Sequence, residues 1–385
     1  HMYAMLAATA GVTSVSVAGD TVDALPVMIP STKSVFGEAH YSFTLAPTLG
    51  FDHAEATGAA LPANYELAAW APDALLGPAW PAIYAALGSA IHNDYPVIEG
   101  LLNAVHLDHS ITLKYTPEQM LERGITTIDV TSHVAAVDES SSGRIVTVAL
   151  ELKANGEHVG STQERFAIRG RATGNRAPSE AAPFGGAKVE VVDTPRSVLR
   201  RVSVKAPDDM TPFAIVSGDY NPIHTSYAAA KVAGMDAPLV HGMWLSATAQ
   251  HAAEAVVAGQ GGAQIAGWTY YMYGTVDLNN EVEITVERVG RVVGGGLSLE
   301  VTCRINKQVV SRASAYTFAP KVAYVYPGQG IQSAGMGLDK RTKSKAVDEV
   351  WRRADAHTRS AMGFSILTIV RDNPTEIVAR GVTYR

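Results

Sequence analysis

The chain has 385 residues, of which 47% are hydrophobic and 18% charged, with a net charge of −6 and a single cysteine, Cys303. That profile is one of a soluble globular protein with room for two or three domains. It carries no cationic run to neutralise phosphates, so no nucleic-acid partner is expected. One thiol forms neither an intramolecular disulfide nor a thiolate metal cluster, which fits a reducing cytoplasm.

Taken in chain order, residues 1–35 hold one strand-like run, 12–17, and a Pro-containing tail, 26–30. They are too few to bury a core and read as a lead-in from a preceding domain. The apolar stretch 4–11 is short and lacks a preceding Lys or Arg, so it does not read as a signal peptide. No segment reaches the roughly 20 apolar residues needed to span a bilayer, and no membrane partner is expected.

Residues 36–186 form a first unit. Trp80, Ile83, Leu87 and Ile91 recur at helical spacing and predict a helix over 79–92. Strands follow at 111–115, 126–134, 144–153 and 160–168, rich in Val, Ile and Thr. One helix and a run of strands predict an α+β layer in which the helix covers an antiparallel sheet. A Gly/Pro/Ala/Ser-rich stretch, 171–186, closes this unit as a linker.

From 187 to 320 the same order returns. Helices are predicted at 227–233 and 243–258, then strands near 264–273, 281–289, 296–306 and 309–318. The order repeats with little residue identity, which implies two copies of one unit packed side by side. Residues 321–385 differ: a strand at 322–326, a tight Gly-rich turn at 327–330, and helices near 344–358 and 364–370. This is the opening of an α/β domain that stops before a sheet is completed.

The densest chemistry lies in Ile215-Val-Ser-Gly-Asp-Tyr-Asn-Pro-Ile-His224. Turn formers flank Asp219 and His224, so both sit on a constrained loop. A carboxylate and an imidazole held together there can take a proton from one substrate atom and return it to another. Asn221, between them, is placed to bond loop backbone or substrate. The competing reading is a cap, in which Asp or Asn opens the helix near Tyr227 and His224 is a satisfied loop histidine.

In Pro238-Leu-Val-His-Gly-Met-Trp-Leu245 a glycine starts the long apolar helix. Its first N–H groups lack helical partners and sit at the positive end of the macrodipole, where they would polarise a thioester carbonyl. Gly242 would let a substrate approach them. Alternatively, Gly242 only eases packing and His241 is a core histidine bonded to a carbonyl.

Ser217-Gly-Asp-Tyr-Asn-Pro-Ile-His224, followed by Ala233-Gly234 and Val240-His-Gly-Met243, resembles the signature of MaoC-like (R)-specific hydratases and dehydratases. The resemblance implies a hot dog fold, a long helix wrapped by an antiparallel sheet. It also implies catalytic roles for Asp219, His224, Asn221 and the Gly242 amide. Tyr324-Val-Tyr-Pro-Gly-Gln-Gly-Ile-Gln-Ser-Ala-Gly-Met-Gly337, Trp351-Arg-Arg-Ala-Asp and Gly363-Phe-Ser-Ile-Leu resemble the opening of a malonyl/palmitoyl transferase domain. Trp80-Pro-Ala-Ile-Tyr84 and Gly100-Leu-Leu-Asn-Ala-Val-His-Leu107 are similar to the first half of a synthase dehydratase region.

Together these imply a piece of a type I fatty acid synthase of the bacterial, mycobacterial-like kind. They imply a pseudo-dimeric double hot dog: a first, non-catalytic hot dog plus linker (36–186), a catalytic one (187–320) and an incomplete transferase (321–385). The implied activity is dehydration of (3R)-3-hydroxyacyl thioesters, with substrate on the phosphopantetheine of an acyl carrier domain or on CoA and no other cofactor. The implied partners are neighbouring synthase domains within a large homo-oligomer. A scaffold fragment without activity of its own is the alternative.

Other features read as structural. No Gly-x-Ser-x-Gly elbow occurs between 322 and 385, so the transferase segment is not expected to be catalytic, although Gln329 sits where that family's loop helps form an oxyanion hole. In Val105-His-Leu-Asp-His109, alternation would put His106 and Asp108 on one strand face, and structural polar contacts are expected rather than metal or catalysis. His92-Asn-Asp94 reads as a helix end, Gly294-Gly295-Gly296 as a hairpin turn, and Tyr270 to Tyr273 as strand packing. No metal ligand set is expected.

Overall fold

The computed structural model describes residues 27–30, 37–62, 70–92, 95–97, 104–140, 143–169, 189–258, 264–319 and 332–385. The strand expected at 12–17, the linker 171–186 and the strand and turn at 322–330, with Gln329, lie outside them. The chain divides into two compact units, 1–321 and 322–385, each described by itself.

In the first unit, strands β1 (Val27–Pro30) and β2 (Gly37–Thr44) precede helix α1 (Pro47–Gly58). Two 3₁₀ turns, Pro72–Leu75 and Gly77–Ala79, lead into α2 (Trp80–Ser89). A short hairpin of β3 (Ile91–His92) and β4 (Tyr95–Pro96) follows, then β5 (Ala104–Leu113) and α3 (Pro117–Glu122). The long strands β6 (Thr127–Ser140), β7 (Gly143–Ala154) and β8 (Glu157–Ile168) complete the first repeat.

The second repeat opens with β9 (Val191–Lys205), α4 (Thr211–Ser217), a 3₁₀ turn at Pro222–His224 and α5 (Tyr227–Val232). Its long helix α6 (Gly242–Ala258) is followed by β10 (Ile265–Met272), β11 (Glu281–Val292), β12 (Leu297–Ile305) and β13 (Gln308–Thr317).

All these strands except the β3–β4 hairpin form one antiparallel sheet, in the order β1-β2-β6-β7-β8-β5-β10-β13-β12-β11-β9. Reading outward from the central β5–β10 pair, the second half runs β10, β13, β12, β11 and β9, and the first runs β5, β8, β7, β6 and β2 in the same order, with β1 added outside β2. The strand order is therefore duplicated, and the two sheets fuse where Gly267 to Tyr271 pairs with Thr112 to Asp108. The tight turns match as well. Asn155-Gly156 joins β7 to β8 and Asn306-Lys307 joins β12 to β13, all four residues at positive φ, as two-residue hairpin turns of that hand require.

Each half of the sheet buries a helix. α2 packs on β2, β6 and β7, and α6 packs on β9, β10, β11 and β12. Small residues make this possible: Ala247, Ala249, Ala252 and Ala253 of α6 are fully buried, so a helix rich in alanine sits close in the crook of the strands. α1 lies along α6, fastened by Trp244 Nε1 to the Ala56 carbonyl at 3.0 Å and Thr248 Oγ1 to the Thr57 carbonyl at 2.7 Å.

Some elements differ from expectation. α1 was not predicted, because Pro-Thr-Leu-Gly-Phe-Asp-His-Ala-Glu-Ala-Thr-Gly has no clean apolar period and its helix stands on tertiary contacts. β9 lacks a strand-like apolar pattern because it carries Pro195 and three arginines, as an edge strand tolerates. α2 ends at Ser89, and Ile91 and His92 enter a hairpin rather than the last helical turn.

In the second unit, α7 (Lys345–Met362) is capped by the Ser344 hydroxyl and packs on α8 (Ile366–Asp372). A hairpin of β14 (Ile377–Ala379) and β15 (Val382–Tyr384) follows. Asp355 ties the two helices together, accepting from Arg359, Ser365 Oγ and the Leu367 amide. No helix among the described residues is long and apolar enough to cross a membrane.

Candidate active site

The loop between α4 and α5 is built by short-range hydrogen bonds that its sequence supplies. Gly218 ends α4 at φ 69°, and its neighbour Ser217 presses so close to Gly77 that a Cβ there would stand 2.7 Å from the Ser217 carbonyl oxygen. Only glycine at 77 lets the loop seat on the first repeat's 3₁₀ turn. Beyond it, the Asp219 amide donates to Ser217 Oγ, the Asn221 amide to Asp219 Oδ1 (3.1 Å), and the Ile223 amide to Asn221 Oδ1 (3.3 Å). These are successive Asx-type turns.

That settles the cap question locally. Asn221 caps the Pro222–His224 turn through its own side chain, so its amide oxygen bonds loop backbone. The helix near Tyr227 is capped by Ser226, and neither Asp219 nor Asn221 is needed for it.

His224 Nδ1 donates to the Leu239 carbonyl at 2.8 Å, which leaves Nε2 with its lone pair. His241, buried immediately before α6, donates from Nε2 to the Asp219 carbonyl at 3.1 Å and stands 3.7 Å from Asp219 Oδ2. The two imidazoles stack at 3.8 Å between centroids. One ligand-type atom from each of Asp219, His224 and His241 lies within 4.8 Å of the others. Such a trio has the composition of a metal site, and His224 Nδ1 and His241 Nε2 each donate to a carbonyl oxygen.

Burial separates the proton affinities of this group. It pushes the Asp219 carboxyl up, against the opposing pull of His224, the Asn221 amide and His106. It pushes His224 down, against Asp219 and the Leu239 carbonyl. His241 falls well below the usual imidazole range through burial and the neighbouring His224. At neutral pH the pair is thus an imidazole ready to accept and a carboxyl eased toward holding its proton.

Gly242 is the first residue of α6, at the donor end of the helix, beside the His224–His241 stack. Its missing side chain has a packing cause. A Cβ at 242 would stand 2.4 Å from Met272 Sδ, so the thioether fills the space expected for an approaching substrate.

The first repeat contributes more than expected. Tyr84 on α2 is buried, and burial and Asp219's charge both push its hydroxyl well above the usual phenol range. His106 on β5 reaches Asp219 through its field. The alternation expected for His106 and Asp108 fails because the β5–β8 register shifts between them. With one extra residue in β5, His106 and His109 both turn to Glu164, and Asp108 pairs with Arg165. Sequence spacing ties neither Tyr84 nor His106 to Asp219, because both lie in the other repeat and act on it only through charge. Tyr270 is strand packing, its hydroxyl donating to Ser311 Oγ at 2.8 Å, and Gly294 to Gly296 form the hairpin turn between β11 and β12.

The fold and this loop define a double hot dog whose second repeat is a MaoC-like domain: residues 187–309 match the MaoC like domain family, and residues 323–383 match the acyl transferase domain family. The MaoC-like dehydratase of Phytophthora capsici has the same fold, with TM-score 0.54 and 16% identity over 74% of this chain and 96% of that one. HtdX of Mycobacterium tuberculosis gives TM-score 0.50 and 16% identity over 72% and 98%.

Among curated relatives, the chain is similar to fatty acid synthase subunit beta of Saccharomyces cerevisiae, 36% identical over 171 residues. That match covers 44% of this chain and 8% of the relative. The fatty acid synthase beta subunit TOXC of Cochliobolus carbonum is 36% identical over 173 residues, 45% of this chain and 8% of that protein. The chain thus spans about 8% of the length of these relatives.

Proposed function

We propose that the second repeat is the dehydratase of a type I fatty acid synthase, eliminating water from a (3R)-3-hydroxyacyl thioester to give the trans-2-enoyl thioester. The observation that carries this reading is the approach of the Asp219 carboxylate and the His224 ring to within 4.8 Å, beside the first turn of α6. His224 Nε2 takes the Cα proton, and the C–H electrons move toward the thioester carbonyl. The Gly242 amide, at the positive end of α6, stabilises the enolate oxygen. As the charge returns, the Cβ–O bond breaks and Asp219 gives its proton to the leaving hydroxyl, releasing water. The released water can carry the proton from the His224 imidazolium back to Asp219. Asn221 holds the loop in shape through the Ile223 amide.

Side chains and one backbone amide supply every proton and charge in this scheme. The fatty acid synthase relatives support a substrate delivered on the phosphopantetheine of an acyl carrier domain, with a CoA ester able to replace it in solution. They also support neighbouring synthase domains as partners; assembly into a large cytoplasmic homo-oligomer is part of the proposal.

The test is hydration of crotonyl-CoA, followed by loss of enoyl absorbance. The wild-type chain is expected to be active and the Asp219→Asn/His224→Ala double variant inactive. Activity that survives in the double variant overturns the site. A wild-type chain inactive on both CoA and carrier-bound substrates favours a scaffold fragment.

A further inference from the structure

One short segment of the first repeat touches both parts of the site in the second. It is the pair of 3₁₀ turns from Pro72 to Ala79, whose first turn packs on α6 and whose second packs on α4.

Asp73, almost fully buried, makes the contact with α6. Its Oδ2 accepts from Ser246 Oγ at 2.6 Å and its Oδ1 from Gln250 Nε2 at 2.6 Å. The Asp73 amide returns a bond to Gln250 Oε1 at 3.2 Å. Ser246 and Gln250 stand one and two turns after Gly242, so Asp73 grips the half of α6 that begins at the site. Ser246 Oγ also accepts from Trp268 Nε1 at 3.0 Å, which joins the grip to β10.

Asp73 is itself held from behind. His109 Nε2 lies 2.9 Å from its Oδ1, and His109 Nδ1 lies 2.7 Å from Glu164 Oε1, which also accepts from Thr162 Oγ1 at 3.1 Å. Both ring nitrogens of His109 face carboxylate oxygens, so both donate and the ring is an imidazolium. A buried array of this kind adds little stability over apolar packing, but it penalises every arrangement in which a member loses its partner. It therefore fixes where Asp73 stands.

Four residues further on, Gly77 makes the contact with the loop. A Cβ at 77 would stand 2.7 Å from the Ser217 carbonyl oxygen, and one at 218 would stand 3.3 Å from the Gly77 carbonyl oxygen. The two backbones thus meet where α4 turns into the loop that carries Asp219 and His224.

We propose that Asp73 is a positioning residue of the site: through the segment Asp73–Gly77 it ties the start of α6, with the Gly242 amide, to the loop that carries Asp219 and His224. The spacing between the amide and the acid–base pair is then set by the first repeat. The catalytic part of this rests on the dehydratase reading; the tie rests on the contacts alone.

The stack of His224 on His241 reports the tie directly, because His224 rides on the loop and His241 directly precedes α6. The test follows the ring ¹H–¹⁵N NMR signals of both histidines, together with crotonyl-CoA hydration. It uses wild type, Asp73→Asn, Gly77→Ala and the double variant, with Val130→Ala, a cavity in the buried face of β6, as the destabilised control. Asp73→Asn puts an amide donor where the carboxylate accepts, and Gly77→Ala pushes the Ser217 carbonyl away. Each should move both ring signals and lower kcat about 10- to 100-fold, with KM changed less than about threefold. Because both substitutions act through one segment, the double variant should lose less than the product of the single losses. The control should leave the ring signals in place. If Asp73→Asn does not fold, Ser246→Ala loosens the same grip from the α6 side.

Folded variants whose ring signals stay at their wild-type positions overturn the proposal, as do fully multiplicative losses in kcat or signals that move equally in the control. Signals that move in a chain inactive even as wild type uphold the tie and remove only the dehydratase reading.

Discussion

The two repeats share a strand order and a pair of matching two-residue turns, yet they place their polar groups in opposite ways. The second repeat puts a carboxylate and two imidazoles on a loop at the mouth of its helix, where Asp219 keeps 14% of its side chain exposed. The first sinks a glutamate, a histidine and an aspartate into the interior, each at 0–3% exposure, and saturates them with hydrogen bonds. A largely buried pair that keeps some access to solvent can exchange protons with a substrate. A fully satisfied buried array holds geometry and field. Duplication of a fold therefore does not duplicate a polar cluster: one half carries the candidate site and the other a buried, hydrogen-bonded array.

The widest contrast between the halves is catalytic. His224→Ala should lower kcat/KM for crotonyl-CoA by roughly 10²–10⁴-fold with little change in the unfolding midpoint. A drop below tenfold would mean that the reacting base lies elsewhere.

His109→Gln should show the reverse pattern, with stability lost first. It leaves Glu164 and Asp73 buried without the cation between them, at a cost of about 3–5 kcal/mol by urea unfolding. Both carboxylates are held below their ordinary values against the effect of burial, chiefly by His109, while His109 is raised to about 10. The carboxylate share of the stabilisation is complete above the ordinary glutamate value of 4.5 and lost as pH falls through the folded values. The His109 share is complete below 6.5 and lost as pH rises toward about 10. The difference between wild type and variant should thus be largest between pH 4.5 and 6.5 and shrink on either side. A pH-independent difference would reject the imidazolium.

The seam between the repeats offers a third test. His53 on α1 and His251 on α6 are held neutral by burial, down to about 4 and about 3. Below 6.5 the unfolded chain takes up protons that the folded chain refuses, so stability falls as pH falls, by about 1.4 kcal/mol per pH unit for each histidine. The His53→Gln/His251→Gln chain should lose stability more slowly between pH 6.5 and 5; parallel curves would refute the burial argument.

The smallest effect concerns Gly242. Gly242→Ala should cost about 1 kcal/mol through its clash with Met272, and Gly242→Ala with Met272→Ala should recover that loss in thermal unfolding. A double variant as unstable as the single one would show that the glycine serves something other than this contact.

How much of this was legible in the sequence follows from the range of the forces involved. Asp219, Asn221 and His224 could be picked out because their loop is made by neighbours: Ser217, Gly218 and Pro222 dictate turns through hydrogen bonds two residues long. The α6 helix and the paired strands of both repeats were readable from periodicity, since burial of one face imposes it. The Pro195-bearing edge strand β9 and the polar helix α1 were not, because neither has an apolar period and both stand on partners distant in sequence.

By itself, then, the sequence determined the repeated order of elements, the loop that holds the proposed acid–base pair and the family signature around it. Only the tertiary structure decided that Met272 packs against Gly242, that an extra residue in β5 turns His106 and His109 onto one glutamate, and that His109 joins that glutamate to Asp73. Turns and amphipathic periods are set by residues within a few positions of one another. Charge networks and close approaches join groups far apart in sequence, 177 positions between Asp73 and Gln250 and 191 between Thr57 and Thr248, and exist only after the chain has packed.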